Sequence, residues 1–175
     1  MKFTTAVVAL IGTTQAYITY QNPDLKVMPN FYAKLVPTLM NLDLVADSAA
    51  AKRAHDLTNQ FRKSQGLSTL GFDSALTKLA AEHNQYQAKQ GKISHDNFST
   101  RVSKIPYAHG GSAENVAYNY AADSGAKVVD QWKNSEGHNK NMLGKNHKKG
   151  AVAAYTDESN GRTYFTQLLG QGSLI

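Results

Sequence analysis

Apolar positions change their period twice along this chain. Residues 17–47 mix apolar side chains with Pro23, Pro29 and Pro37, which limit any regular element there to short pieces. Beyond Ser48, residues Ala51, Ala54, Leu57, Thr58 and Phe61 recur at helical intervals behind Asp47 and Ser48 as caps, and Gly66 ends the run. A second helix is predicted from Asp73 or Ser74, with Leu76, Leu79, Ala80, His83, Tyr86 and Gln87 on one stripe and Gly91 closing it. Residues 92–114 read as a loop in which Ile93, Phe98, Val102, Ile105 and Tyr107 are scattered among polar positions. A third helix is predicted from about Asn115, breaking near residues 123–125 and resuming through Ala126, Val128, Val129 and Trp132, the last a core residue. The final third alternates instead. Residues 151–156 and 163–169 read as strands, and the turn over 157–162 has Asn160 and Gly161 to supply positive φ. Helices first and a hairpin last predict one α+β domain with helices packed on a sheet, without internal repeat or linker.

The N-terminal residues have a different character. Lys2 precedes an uncharged, largely apolar stretch over 3–11, followed by small or polar residues up to Gln15 and Ala16. A helix of that stretch is about 13 Å long, far short of a ~30 Å hydrocarbon core. The pattern is that of a secretory signal peptide cut after Thr14-x-Ala16. The predicted division is therefore signal 1–16, extension 17–47, domain 48–170 and tail 171–175, with an extracellular product lacking a transmembrane segment.

Composition narrows the chemistry. The 175 residues are 41% hydrophobic and 18% charged, enough for a packed core, and contain no cysteine. A disulfide framework, a thiolate zinc site and a cysteine nucleophile are thereby excluded. The formal charge of +6 favours acidic surfaces only weakly. The basic run Lys140, Lys145, His147, Lys148 and Lys149 reads as a solvated face that also suits acidic glycans or headgroups. No nucleic-acid-binding motif is present.

Six polar residues lie outside the apolar stripes: His95, His109, Glu114, Glu136, His138 and His147. Two neutral imidazoles with a carboxylate and water make a common zinc shell, but His95 and His138 are far apart in sequence and no helix-encoded HExxH fixes their geometry. By spacing alone, surface or hydrogen-bonded histidines are the plainer reading. Two roles stay open for Glu114: a carboxylate at the start of a helix, or a group that orients a histidine or shares a metal. A hydrolase would need Glu114 with His95 or His138 as base, or a metal-bound water. No Gly-x-Ser-x-Gly elbow occurs, and Ser94, Ser112 and Ser135 read as turn or cap residues. Asn97 heads the one N-x-S/T sequon. Tyr118 and Tyr120 read as cleft wall or packing residues.

The order of several short motifs resembles the CAP superfamily, also called SCP/TAPS or pathogenesis-related-1-like proteins. These are Leu57-Thr58-Asn59-Gln60-Phe61-Arg62, Ser94-His95, Ala113-Glu114-Asn115-Val116-Ala117, Trp132-Lys133-Asn134-Ser135-Glu136-Gly137-His138 with Asn141-Met142-Leu143, and Tyr164-Phe165-Thr166-Gln167. The resemblance implies a three-layer α-β-α sandwich, usually secreted, with a central cleft. It further implies that His95 and His138 hold a divalent ion, often zinc, and that Glu114 is the first flanking glutamate. Asn115, Ser135 and Glu136 are counted with the cleft. The second glutamate of some members falls on Ser135 here, with Glu136 one residue later, where cysteine-free bacterial-type members usually have proline. Whether Glu136 fills that role is left open. No activity follows from the resemblance. The expectation is a binding or host-interaction protein, with a metal-assisted hydrolase or a sterol or fatty-acid carrier as alternatives, and a lipid or an extracellular wall polymer as partner.

Overall fold

In the computed structural model, residues 47–105 and 111–172 are described. The predicted signal peptide, the predicted extension before Asp47, Tyr107, His109 and most of the tail lie outside them. Nine elements follow in order: α1 (Ser48–Ser64), β1 (Gly71–Phe72), α2 (Ser74–Gln90), α3 (Phe98–Ser103), β2 (Ala113–Asn119), α4 (Ser124–Lys133), α5 (Glu136–Met142), β3 (Lys149–Asp157) and β4 (Arg162–Gly170). The four strands line up as β1-β3-β4-β2, antiparallel except for the short parallel pairing of β1 with β3.

Both faces of this sheet are covered, which explains the run of small apolar residues in β3. Val152 and Ala154 point to one side, where they join Ala54 of α1, Val128, Val129 and Trp132 of α4, and Phe165 of β4. Ala151 and Ala153 point to the other, against Leu76, Leu79 and Ala80 of α2, with Phe98 of α3 packed alongside. Trp132 is fully buried, as the sequence predicts. The result is the expected α-β-α sandwich. On the first face α1 and α4 approach so closely that a Cβ on Gly125 would stand 2.5 Å from the Ala50 carbonyl, so only glycine fits there. Between α1, α2 and β3 lies an apolar cavity of about 280 Å³, lined by residues including Ala51, Phe72, Ala81 and Val152.

Helix α2 begins and ends as its sequence predicts, whereas Asp47 precedes α1 without a side-chain capping bond. Asp73 accepts a hydrogen bond from the Leu76 amide (2.9 Å), and Gly91 takes a left-handed φ of 67° at the close of α2. Three local expectations are overturned. Residues 115–119 form a strand, not a helix, and pair along their length with β4. The whole of β2 is seven residues long with adjacent Val116 and Ala117, so neither period dominates and the partner strand decides. The loop over 92–114 contains the six-residue α3, too short to carry a periodic signal. In the β3–β4 turn only Gly161 has positive φ (70°); Asn160 instead donates its side-chain amide to Asp157, which also accepts from the Ser159 amide.

Strand β2 is a sheet edge, and two of its outward carbonyls are covered. The Asn141 amide reaches the Glu114 carbonyl (3.3 Å) and the Gln131 amide reaches that of Tyr118 (3.1 Å). Side-chain amides from α4 and α5 thus blunt an edge that would otherwise recruit another strand.

Candidate functional site

Because side chains alternate along β2, Glu114, Val116 and Tyr118 face α2 and α3, whereas Asn115, Ala117 and Asn119 face α4 and α5. Glu114 is buried, so its charge requires partners. Arg101 of α3 grips it side-on: Nε donates to Oε2 (2.8 Å) and Nη2 to Oε1 (2.7 Å). The His95 ring, half exposed, donates Nδ1–H to Oε1 (2.9 Å). Arg101 also ties the loop down, its Nη1 donating to the Asp96 carbonyl (2.6 Å).

A second layer of bonds fixes this loop. His83, buried on α2, donates Nε2–H to the Ser94 carbonyl (2.7 Å), and the Ser94 amide donates to Gln87 Oε1 (3.1 Å). His83 also stands 3.9 Å from Glu114 Oε1. Burial holds its pKa below the ordinary value, with the Arg101 charge acting in the same sense and Glu114 opposing.

His138 reaches the site from the opposite side, on α5. Its carbonyl accepts from Asn115 Nδ2 (3.1 Å), which also donates to Gln167 Oε1 (2.9 Å), while Asn115 Oδ1 accepts from Asn141 (2.8 Å). Gln167 continues the chain to Thr58 of α1 (3.2 Å). Burial holds the His138 pKa below its ordinary value, and the His95 ring acts in the same sense.

The other residues singled out in the sequence fall elsewhere. Ser135 caps α5 without a side-chain bond, and Glu136 is exposed on its first turn; among the described residues neither hydrogen-bonds His95, Glu114 or His138. His147 is buried, its ring packed on Gly144, and it is not a partner of Glu114. Its basic neighbours Lys140, Lys145 and Lys148 are exposed. Asn97 is exposed, with φ of 59°, at the start of α3. Arg101 and His83 are site residues that the sequence reading misses. A signal for Arg101 exists: a buried glutamate needs a cation, and Arg101 and Lys104 are the two Arg or Lys residues between His95 and Glu114.

Residues 55–169 match the family described as the cysteine-rich secretory protein family, CAP. The chain belongs to the CAP family. It does so without a single cysteine. Among curated relatives, 125 residues are 29% identical to an uncharacterized membrane protein of Bacillus subtilis, YlbC, covering 69% of this chain and 34% of YlbC. The chain thus spans about a third of that relative's length. The fold of an outer surface protein from Borrelia burgdorferi superposes with a TM-score of 0.63 at 21% identity, covering 73% of this chain and 94% of that one. An extracellular SCP-domain protein from Bacillus anthracis superposes with a TM-score of 0.60 at 22% identity, covering 71% of this chain and 41% of that one. These structural likenesses fix the fold of this CAP domain. Its chemistry rests on its own residues.

Proposed function

We propose that this CAP domain is an extracellular binding module whose cleft takes a divalent cation between His95 and His138. The observation that carries the reading is the buried Glu114, locked by Arg101 and accepting the Nδ1–H of His95. That bond fixes the tautomer and leaves Nε2 of His95 with its lone pair available, an arrangement usual behind metal-bound imidazoles. His138, on α5, whose carbonyl is held by Asn115, would supply the second ring nitrogen. Among the described residues no cluster of three His, Asp or Glu is placed to hold a metal, so water or a ligand oxygen would complete the shell. A bound divalent ion would supply Lewis-acid polarisation of such an oxygen. Glu114 itself is engaged by Arg101 through both oxygens, which disfavours it as a hydrolytic base and supports binding over hydrolysis. An extracellular setting is supported by the signal-like pattern of residues 1–16 and by the likeness to the extracellular Bacillus anthracis protein. No helix among the described residues is long and apolar enough to cross a membrane.

Zinc titration calorimetry tests the reading. The wild-type chain is expected to bind one zinc ion in the micromolar range, and the H95A/H138A double variant none, with Glu136→Ala unchanged. Equal zinc uptake by wild type and double variant, or no uptake by either, overturns it.

A second reading, carriage of a fatty acid or sterol, is supported by the apolar cavity between α1, α2 and β3. It predicts saturable uptake of a fluorescent fatty acid that survives H95A/H138A but is lost in Ala81→Leu, which fills the cavity. Absence of saturable uptake removes this reading and leaves the histidine site untouched.

A further inference from the structure

Four large apolar side chains are exposed among the described residues, and two of them, Tyr118 and Tyr120, lie together at the end of β2. Tyr120 is 58% and Tyr118 37% exposed, and their rings meet edge to face at 5.9 Å. Arg162 lies across them. Its guanidinium sits 4.5 Å from the Tyr118 ring centre and 5.6 Å from those of Tyr120 and Tyr164. Nε donates to the Tyr120 hydroxyl (2.8 Å), and Nη1 donates to the Tyr164 hydroxyl (3.0 Å) and the Gly91 carbonyl (2.9 Å).

This cation is held without a carboxylate in direct contact among the described residues, although, behind the Ser159 hydrogen bonds, its charge helps keep the Asp157 pKa low. Among the described residues Arg162 makes no ion pair, and its Nη2 has no hydrogen-bond partner. Asp157 stands opposite it in the β3–β4 register, but the Asp157 oxygens accept from Ser159 and Asn160. A rigid guanidinium with an open Nη2 beside two exposed aromatic rings presents one donor for an anion and one flat apolar face.

We propose that Tyr118, Tyr120 and Arg162 form a binding subsite for an acidic glycan, with a sugar ring against Tyr120 and its carboxylate on Arg162 Nη2. The rings supply stacking area, their hydroxyls are polar handles, and the guanidinium's open Nη2 selects acidic over neutral sugars. The surroundings also suit a chain-shaped ligand. Tyr118 shares its strand face with Glu114, about 13 Å away at the strand rise. The intervening loop is pinned at Gly91 by Arg162 and at His95 by Glu114, which puts Ile93 between the two sites.

Binding of oligogalacturonate to the full chain at low salt tests the assignment, with its methyl ester and poly-glutamate as comparisons. The ester keeps the rings and removes the charge; poly-glutamate keeps the charge and lacks the rings. Oligogalacturonate is expected to bind about tenfold or more tightly than either. Tyr120→Ala should weaken it several-fold, and Arg162→Gln should abolish the preference for the free acid over the ester. H95A/H138A should leave binding intact, which separates this subsite from the cation reading. No binding of oligogalacturonate, equal binding of poly-glutamate, or full binding by folded Y120A and R162Q would each overturn the assignment.

Discussion

Replacing Arg101 by methionine is expected to cost the fold about 3–5 kcal/mol, the range for leaving one member of a buried ion pair without its partner. Glu114 is almost inaccessible to water, and Arg101 binds both of its carboxylate oxygens. Without the guanidinium, the remaining partners are the His95 ring and the more distant His83, neither a permanent cation. The loss should also be felt in the loop, because Arg101 holds the Asp96 carbonyl. Urea unfolding measures the change as a lower midpoint at unchanged slope. The double variant R101M/E114Q distinguishes an uncompensated charge from lost packing: it should recover about half of the deficit or more, since a neutral amide is cheaper to bury than a carboxylate. A cost under about 1 kcal/mol for R101M, or no recovery in the double variant, would show that Arg101 does not neutralise Glu114.

This pairing also marks how far sequence reasoning reaches. Helices α1 and α2 are legible because each spans seventeen residues with a repeated apolar stripe and a recognisable stop. The β3–β4 hairpin is legible from its alternation and its turn. Strand β2 is not, since its pairing with β4 spans some fifty residues and is invisible to any local window. The same holds within the site. His95 and Glu114 are singled out by their motifs, but that they touch depends on α3, whose six residues carry no period. His83 falls correctly on an apolar stripe. Its ring nevertheless has a polar edge, and only the path of residues 91–95 brings the Ser94 carbonyl to it. The amide chain from Asn141 through Asn115 and Gln167 to Thr58 joins four elements, and no pair within it is close enough in sequence to suggest the contact.

That chain has a counterpart in Arg62, where the second large effect is expected. Arg62 is fully buried at the C-terminal end of α1 and, among the described residues, pairs with no carboxylate. It donates instead to four carbonyls: Ser68 (2.9 Å), Met142 (2.6 Å), Gly144 (3.0 Å) and His147 (3.2 Å). Met142 is the last residue of α5, where carbonyls lack intrahelical donors and carry the negative end of the helix dipole. One planar cation thus terminates α5, fixes the segment that follows it and binds both to α1. Burial pushes its pKa down, yet arginine stays charged, so the carbonyls must serve in place of a counter-ion. Arg62→Met keeps the apolar stem and strands the four acceptors, for an expected loss of about 3–5 kcal/mol. Arg62→Lys should recover little, because a single ammonium cannot reproduce the forked geometry. Hydrogen exchange distinguishes this from a general loss of packing: amides over 136–147 should lose protection before those of β3 and β4. His138 rides on that segment, so R62M should weaken zinc uptake even under conditions where the chain remains folded. Uniform loss of protection across the sheet, or unchanged zinc uptake by folded R62M, would disconnect the clamp from the site.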